Sequence, residues 1–446
     1  MIRTIRSFPL VSSLLAAATL SVPGPSAWAL TPGQIEAGAA IADAGVRDLT
    51  AKLASDSFEG RAPGTRGSER SQAYLIDLLR RIGPGLNGGT EDDDYKQPFA
   101  AGTNLLAFIR GRELPNEYVI VGAHYDHLGT TRSALGEDLV YNGATDNAAG
   151  TAAAVAVGSA IRALPEAPRR SVIIALWDAE EAGLLGSLHY VSNPPVPIEQ
   201  TVAYVNFDIL GAALTPAVAR TTFAISSETG GEAFGALVDE AAGAERTIAA
   251  PDPLTVARLS YIFGQLRSDY ASFVAAEVPT VFFSDATGAC YHTVDDEAKL
   301  VDFEKLEQQT RIAYRLSATL AEREDRLPFV APNPALATYD DAVILDRIVR
   351  GGITDLDLFR PEDQSTLRTT SDALRAIVDA GPQAFDGQDV QTVLGAALDT
   401  LAAIESSLEC TDYSPARGRK PFLRFPDDSG NTTPHRLPSA KRLQRR

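Results

Sequence analysis

Cysteine is scarce in this chain: Cys290 and Cys410 are the only two among 446 residues. This count excludes a disulfide-rich scaffold and a metal site built from cysteine thiolates. Basic residues are also outnumbered by acidic ones, and the formal net charge is -18. The acidic balance argues against nucleic acid or an anionic membrane surface as the main partner.

Long apolar runs are missing after the first 30 residues, so no later segment is predicted to span a membrane. The N-terminus is typical of a signal peptide, with Arg3 and Arg6 ahead of an apolar run over residues 8–22. Residues 27–29 have the small-x-small form of a cleavage site. A short buried helix is the alternative, but two prolines break the apolar run. We therefore expect residues 1–29 to be removed and the mature protein to be exported, periplasmic or extracellular.

Strand-like and helix-like segments alternate along the middle of the chain. The apolar run over residues 118–123 is typical of a strand that is covered on both faces. Such alternation predicts an α/β fold, a three-layer sandwich with a mixed, mostly parallel central sheet. The predicted strands are 104–110, 118–123, 171–177, 202–207 and 280–284, and the predicted helices are 68–82, 147–164, 182–190, 232–243 and 303–324.

The composition divides the chain into further parts. After the leader we expect one large domain over residues 30–327. The chain of 446 residues is too long for one ordinary core and long enough for a large domain plus an appendage. Helical periodicity predicts a small helical C-terminal appendage over residues 328–410, with helices at 340–350, 361–380 and 388–408. Residues 411–446 are polar, basic and rich in proline, which favours a disordered tail. A tail that binds nucleic acid or a surface is the alternative.

Five clusters of histidine and acidic residues carry the chemistry, and four of them follow strand-like runs. In open α/β sheets, ligands bind beyond the carboxyl ends of the strands, so we expect these clusters to meet. Taken singly, each residue has an ordinary explanation, such as a core histidine, a helix N-cap or a solvated helix start. The clusters are His124-Tyr125-Asp126, Asp146-Asn147, Glu180-Glu181, Asp208 and Tyr291-His292.

Their shared placement indicates a site for divalent metal ions. Two histidines and several carboxylates are the ligands that zinc and related ions prefer. They are too many for one tetrahedral zinc and suit two ions that share a carboxylate. Because Glu180 and Glu181 are adjacent, one can be a ligand and the other a general base. The pattern therefore predicts two-metal hydrolysis.

Several longer motifs resemble those of the zinc aminopeptidases of metallopeptidase family twenty-eight, the secreted bacterial members in particular. The similarity covers about residues 45–325 and includes the upstream segment around Gly60-Arg61. The implied activity is removal of the N-terminal amino acid of a peptide by a two-zinc enzyme. The motifs are the runs at 123–129, 142–150, 180–187, 206–208 and 291–293.

The resemblance implies two zinc ions and a ligand set at the matching positions. His124 and Asp208 would bind one ion, Glu181 and His292 the other, and Asp146 both.

The resemblance also implies three catalytic roles beside the metals. Glu180 would be the general base, and Tyr291 would donate a hydrogen bond to the oxyanion. Asp126 would orient His124, since a zinc-bound histidine usually gives its other N–H to a carboxylate.

Some features depart from the family pattern. Tyr270 follows Ser268-Asp269 where members often have a histidine, and the short segment before His124 leaves no room for the frequent protease-associated insert. We interpret His127 and His189 as structural.

Two other functions remain open from the sequence. A glutaminyl-peptide cyclotransferase has the same fold family but uses one zinc ion, and a binding or adaptor protein would keep the fold without activity. The intact ligand set and Glu180 count against the binding or adaptor protein, and metal content per chain would separate the two enzymes. Our prediction is an exopeptidase that acts on peptides with a free N-terminus. The same ligands accept cobalt or manganese, so zinc is an expectation.

The two cysteines are expected to matter after export. Cys290 directly precedes Tyr291, and Cys410 ends the predicted appendage. We hypothesise that they form a disulfide in an oxidising compartment, which would hold the appendage near the site. Two unpaired cysteines are the alternative.

Overall fold

The protein is described by a computed structural model that covers Gly38 and residues 45–86, 88–248, 253–333 and 335–410. The predicted signal peptide and the predicted basic tail lie outside the described residues. No helix within these ranges is both long and apolar enough to cross a membrane.

Eight of the ten strands within the described residues form one sheet in the order β1-β2-β6-β3-β7-β10-β8-β9. The four strands β6, β3, β7 and β10 run parallel to one another, and β2 and β8 flank them antiparallel. This confirms the predicted mixed, mostly parallel sheet. The strands are β1 (Lys96–Phe99), β2 (Gly102–Ile109), β3 (Leu114–His124), β4 (Gly129–Arg132), β5 (Asp138–Tyr141), β6 (Arg170–Trp177), β7 (Thr201–Phe207), β8 (Thr221–Ile225), β9 (Thr255–Leu259) and β10 (Thr280–Ser284).

Helices cover both faces of the sheet. On one face, Val121 and Val205 of the sheet pack with Leu79 and Leu316 in a hydrophobic cluster that draws on α1, α2, α3, α5 and α7. The helices are α1 (Val46–Leu53), α2 (Arg66–Ile82), α3 (Ala149–Arg162), α4 (Leu185–Ser192), α5 (Gly231–Ile248), α6 (Tyr270–Ala275), α7 (Phe303–Glu322), α8 (Tyr339–Ile353), α9 (Pro361–Ala380) and α10 (Gly387–Ser407).

The C-terminal helices belong to the layer on the opposite face. Ile120 and Tyr204 of the sheet share one hydrophobic cluster with Leu345 of α8, Leu374 of α9 and Val393 of α10. The start of α8 is also tied to the strand edge, because the Asp341 carboxylate accepts from the Ser260 amide at 2.9 Å and from its hydroxyl. The predicted appendage therefore packs on the same core as the sheet and completes the second outer layer with α4 and α6.

Two helices begin later than predicted, and both lie beside acidic clusters that the sequence singled out. The helix predicted from residue 147 begins at Ala149, because Asp146 and Asn147 have non-helical backbone angles. The helix predicted from residue 182 begins at Leu185, because Leu184 has φ 61°. Both turns carry acidic residues of the clusters named in the sequence analysis.

Candidate metal centre

The carboxyl ends of the central strands bring the acidic and histidine clusters together. His124 is the last residue of β3, Asp208 follows β7, and Glu180 and Glu181 lie in the turn after β6. His292 comes from the loop after β10. The remaining cluster, at Asp146, lies in the turn that precedes α3.

One group of ligand atoms, here called the inner cluster, consists of His124, Asp208 and one oxygen of Asp146. The His124 Nε2 atom lies 3.3 Å from Asp146 Oδ1 and 3.3 Å from Asp208 Oδ1. Ligands about 2.0–2.1 Å from a tetrahedral Zn²⁺ lie about 3.3 Å from one another. Glu180 Oε2 is farther from the same nitrogen, at 3.9 Å. The spacing therefore fits a metal held by three residues, with Glu180 beside it.

A second group, the outer cluster, consists of Glu181, His292 and the other oxygen of Asp146. The His292 Nε2 atom lies 3.3 Å from Asp146 Oδ2 and 2.9 Å from Glu181 Oε2. This nitrogen is buried, yet it makes no hydrogen bond with any described residue. A buried nitrogen that faces two carboxylate oxygens fits a cation held between them.

The electrostatics of the pocket also favour cations. Asp146, Glu180, Glu181 and Asp208 crowd their carboxylates into one largely buried pocket. Burial raises the pKa of Glu180 well above its ordinary value, and the Asp208 carboxylate raises it further. Burial alone would lower the pKa of His124, but Glu180 and Asp208 raise it well above its usual value. Divalent cations would compensate this buried negative charge, so the donor set fits them.

Asp126 connects its own motif, which contains His124, to the Glu180-Glu181 motif. Its carboxylate accepts from the backbone amides of Glu180 at 3.1 Å and Glu181 at 3.3 Å. The same carboxylate lies 3.5 Å from His124 Nδ1. The residue expected to orient a histidine thus also holds the turn of the two glutamates.

Arg61, to which the sequence assigned no role, ties the loops of the site together. Its buried guanidinium donates to the backbone carbonyls of Tyr125 at 2.8 Å, Asn142 at 2.6 Å and Gly143 at 3.1 Å. Burial lowers its pKa to about 10, although nearby carboxylates oppose this. The arginine remains charged at neutral pH and fixes the loop after β3 against the turn that carries Asp146.

Asp296 was also missed from sequence. Its buried carboxylate accepts from the Thr145 amide and hydroxyl and from the Asp146 amide, at 2.9–3.1 Å. Asp296 lies four residues after His292, so it connects the loop of the outer cluster to the Asp146 turn. The only sequence signal was an acidic pair close behind the Tyr291-His292 motif.

Tyr291 lies beside the outer cluster. Its ring stacks on the ring of His292 with a centroid distance of 3.7 Å. Its hydroxyl oxygen accepts from Arg267 Nη2 at 3.1 Å. Tyr270, the departure from the family pattern, is buried and its hydroxyl accepts from the Leu266 amide, so it supports the loop that carries Arg267.

The structure also gives the contacts of two further histidines and of the two cysteines. His189 stacks on Phe99 at 5.2 Å, away from the acidic groups. His127, interpreted from sequence as structural, places Nδ1 2.6 Å from Glu181 Oε1. Cys290 and Cys410 form the hypothesised disulfide, with an S–S distance of 2.03 Å. The end of the C-terminal helical layer is thereby joined to the residue before Tyr291.

Known proteins resemble this chain in sequence and in fold. Residues 104–317 match the family model described as Peptidase family M28. Among solved structures, LapA from Legionella pneumophila is similar in fold, with a TM-score of 0.51 and 19% identity over 67% of this chain and 79% of that one. LapB from the same organism also has a TM-score of 0.51, with 17% identity over 68% of this chain and 78% of that one.

Curated relatives have diverse names. The leupeptin-inactivating enzyme 1 of Streptomyces exfoliatus is 28% identical over 47% of this chain and 44% of its own length. An aminopeptidase of Pseudomonas aeruginosa is 37% identical over 24% of this chain and 18% of its own length. A probable glutamate carboxypeptidase of Arabidopsis thaliana is 31% identical over 44% and 27%. The matched stretch spans less than half of the length of each of these relatives. The family match and the folded site lead to the same conclusion: residues 104–317 of this chain belong to peptidase family M28.

Proposed function

We propose that this protein is an exported zinc aminopeptidase, with two Zn²⁺ per chain, that hydrolyses the N-terminal peptide bond of peptides. The observation that carries the proposal is the position of Asp146. Its Oδ1 atom faces the inner cluster and its Oδ2 atom faces the outer cluster, each 3.3 Å from a histidine nitrogen. A carboxylate placed in this way can bridge two metal ions.

The proposed ligand set follows from the two clusters. His124 and Asp208 would hold the inner ion, Glu181 and His292 the outer ion, and Asp146 both. When bound, the two ions supply Lewis acidity, which polarises a peptide carbonyl and acidifies water.

Glu180 is the proposed general base. Its Oε2 atom lies beside the inner cluster but beyond the distance expected for a further ligand. Only 8% of the residue is exposed, so little bulk water reaches its carboxylate. The carboxylate takes a proton from the attacking water and returns it to the leaving amine.

Tyr291 is the proposed hydrogen-bond donor to the scissile carbonyl. An arginine side chain can only donate, so the contact with Arg267 makes the Tyr291 oxygen the acceptor. The phenolic proton is then free to point at the carbonyl oxygen, where negative charge develops in the transition state. Burial raises the pKa of Tyr291, which keeps the phenol protonated at neutral pH.

Recognition of a free N-terminus is supported by the acidic character of the pocket. A protonated α-amino group is attracted by the surrounding carboxylates, whereas an acetylated one is not. The Pseudomonas aeruginosa relative, which is named as an aminopeptidase, agrees with this choice. Export is supported by the signal-like leader and by the disulfide, since disulfides persist in oxidising compartments.

Metal analysis combined with a substrate panel tests the proposal. The purified protein is expected to hold two zinc ions and to cleave unblocked aminoacyl-nitroanilides but not their N-acetyl counterparts. Reconstitution with cobalt and manganese identifies the metals that support activity. One tightly bound zinc ion together with cyclisation of N-terminal glutamine would instead establish a glutaminyl cyclase. Hydrolysis of blocked or internal peptide bonds would exclude an exopeptidase.

A further inference from the structure

His127 is a buried histidine for which the proposed chemistry has no role. It lies three residues after His124, and only 1% of the residue is exposed. Its Nδ1 atom is 2.6 Å from Glu181 Oε1, and its ring meets the ring of His292 edge-on with a centroid distance of 5.8 Å. The residue therefore touches one proposed ligand of the outer ion and packs against the other.

The distance between His127 Nδ1 and Glu181 Oε1 distinguishes two roles for His127. Its ring lies close enough to Asp146 and Glu181 for the three to be candidate ligands of one ion. Two ligands of one tetrahedral Zn²⁺ lie about 3.3 Å apart, however, and a charge-assisted N–H···O hydrogen bond is about 2.7–2.9 Å long. The 2.6 Å between Nδ1 and Oε1 is far too short for two ligands of one ion and close to the length of such a hydrogen bond. His127 is therefore a hydrogen-bond donor to Glu181.

The hydrogen bond assigns different tasks to the two oxygens of Glu181. An ionised carboxylate only accepts, so the proton lies on His127 Nδ1. Oε1 is occupied by His127, while Oε2 faces His292 Nε2 at 2.9 Å. The ring is held in place by its packing, because a Cβ atom at Gly143 would come within 2.5 Å of it.

We infer that His127 is a positioning residue for the outer metal ion, which aims Glu181 by holding one of its oxygens. The inference rests on the proposed two-metal centre. It also makes the two halves of that centre complementary. In the inner cluster a carboxylate, Asp126, lies behind a histidine ligand, whereas in the outer cluster a histidine lies behind a carboxylate ligand.

Zinc affinity of the metal-free protein tests the inference without reference to activity. Calorimetric titration with Zn²⁺ in competition with a chelator measures the two sites separately. His127→Leu removes the donor, and we expect the outer site to weaken about 10–100-fold while the inner site is unchanged, as is typical when a partner of a metal ligand is lost. His127→Asn keeps an N–H near the position of Nδ1 and should bind within a few-fold of the wild type. His189→Leu, which changes a histidine outside the site, is the matched control.

Each outcome has a definite meaning. Equal zinc affinities of His127→Leu and the wild type would overturn the inference. A loss as complete as that of His292→Ala would also overturn it, because His127 would then be a ligand. In a Glu181→Ala background the His127→Leu substitution should add no further loss. Should the leucine variant not fold, His127→Met repeats the measurement with a more adaptable apolar side chain. A wild-type protein that binds fewer than two ions would refute the two-metal proposal, a result distinct from failure of this inference.

Discussion

The inner and outer clusters of the metal centre differ in how the chain holds them. His124 and Asp208 lie at the ends of the neighbouring strands β3 and β7, and their side chains are 1% and 8% exposed. His292 lies in a loop eight residues beyond β10, has a positive φ of 56°, and its side chain is 33% exposed. The inner cluster is positioned by the sheet, and the outer one depends on a loop.

Because the outer cluster depends on a loop, the contacts that support the metal centre are found mainly around that loop. The loop of the outer cluster is held by the Cys290–Cys410 disulfide, by the bonds from Asp296 to the Asp146 turn, and by ring packing on Tyr291. A ligand at the end of a buried strand needs fewer such contacts, because the ladder of hydrogen bonds already fixes its backbone. Variants that separate the two clusters are therefore the most informative.

The largest effect is expected for Asp146→Ala, because this change removes an oxygen from both clusters. Metal content should fall from two ions towards none, and turnover should fall below detection. His292→Ala is the matched variant for the outer cluster and should leave one ion bound. Metal analysis by mass spectrometry after dialysis measures both. Two tightly bound ions in Asp146→Ala would show that this residue does not bridge.

Glu180→Gln should retain both ions and still lose most activity. A neutral amide cannot take the proton, and loss of a general base typically lowers turnover by about 10²–10⁴-fold. The measurement is kcat at saturating substrate, with metal content determined on the same sample. Turnover near the wild-type value in a metal-loaded variant would remove Glu180 from the role of base.

A smaller decrease is expected for Tyr291→Phe, which keeps the ring on His292 and removes the hydroxyl. Loss of one donor to an oxyanion costs about 10²–10³-fold in kcat. Arg267 donates a hydrogen bond to this hydroxyl and also lies over the ring, 5.2 Å from its centroid. If the hydrogen bond is the contact that matters, Arg267→Met should lower kcat in the wild type but not in the Tyr291→Phe background. An additional loss in the double variant would mean that Arg267 acts on the substrate directly.

The smallest effect on catalysis is expected from removal of the disulfide. Cys290→Ser combined with Cys410→Ser opens a cross-link between residues 120 positions apart. On the chain-entropy account this lowers the free energy of unfolding by about 4 kcal/mol, less any strain. Urea unfolding of the metal-loaded proteins measures the change, and zinc affinity should fall at the outer site alone. Two free thiols in the unfolded, unreduced wild-type protein would rule the bond out.

The central fold was predictable because it is built from strongly patterned segments. The buried parallel strands are continuous apolar runs, and β10 and α9 have the predicted bounds. The strands β1, β8 and β9 of the large sheet were not predicted, and neither were β4 and β5, which pair as a two-stranded sheet. They have four or five residues each and lie toward the sheet edges, so their pairing depends on partners that a local pattern does not reveal.

The sequence by itself determined the acidic and histidine clusters, their placement after strands and the resemblance to a peptidase family, because motifs of this kind are local. Only the tertiary structure showed which residues hold the clusters in place. Arg61 reaches Asn142 across 81 positions, Asp296 reaches Thr145 across 151, and His127 reaches Glu181 across 54. Hydrogen bonds between such distant groups depend on the path of the folded chain, and their angles and distances are set only when the sheet and the loops at its carboxyl edge are assembled.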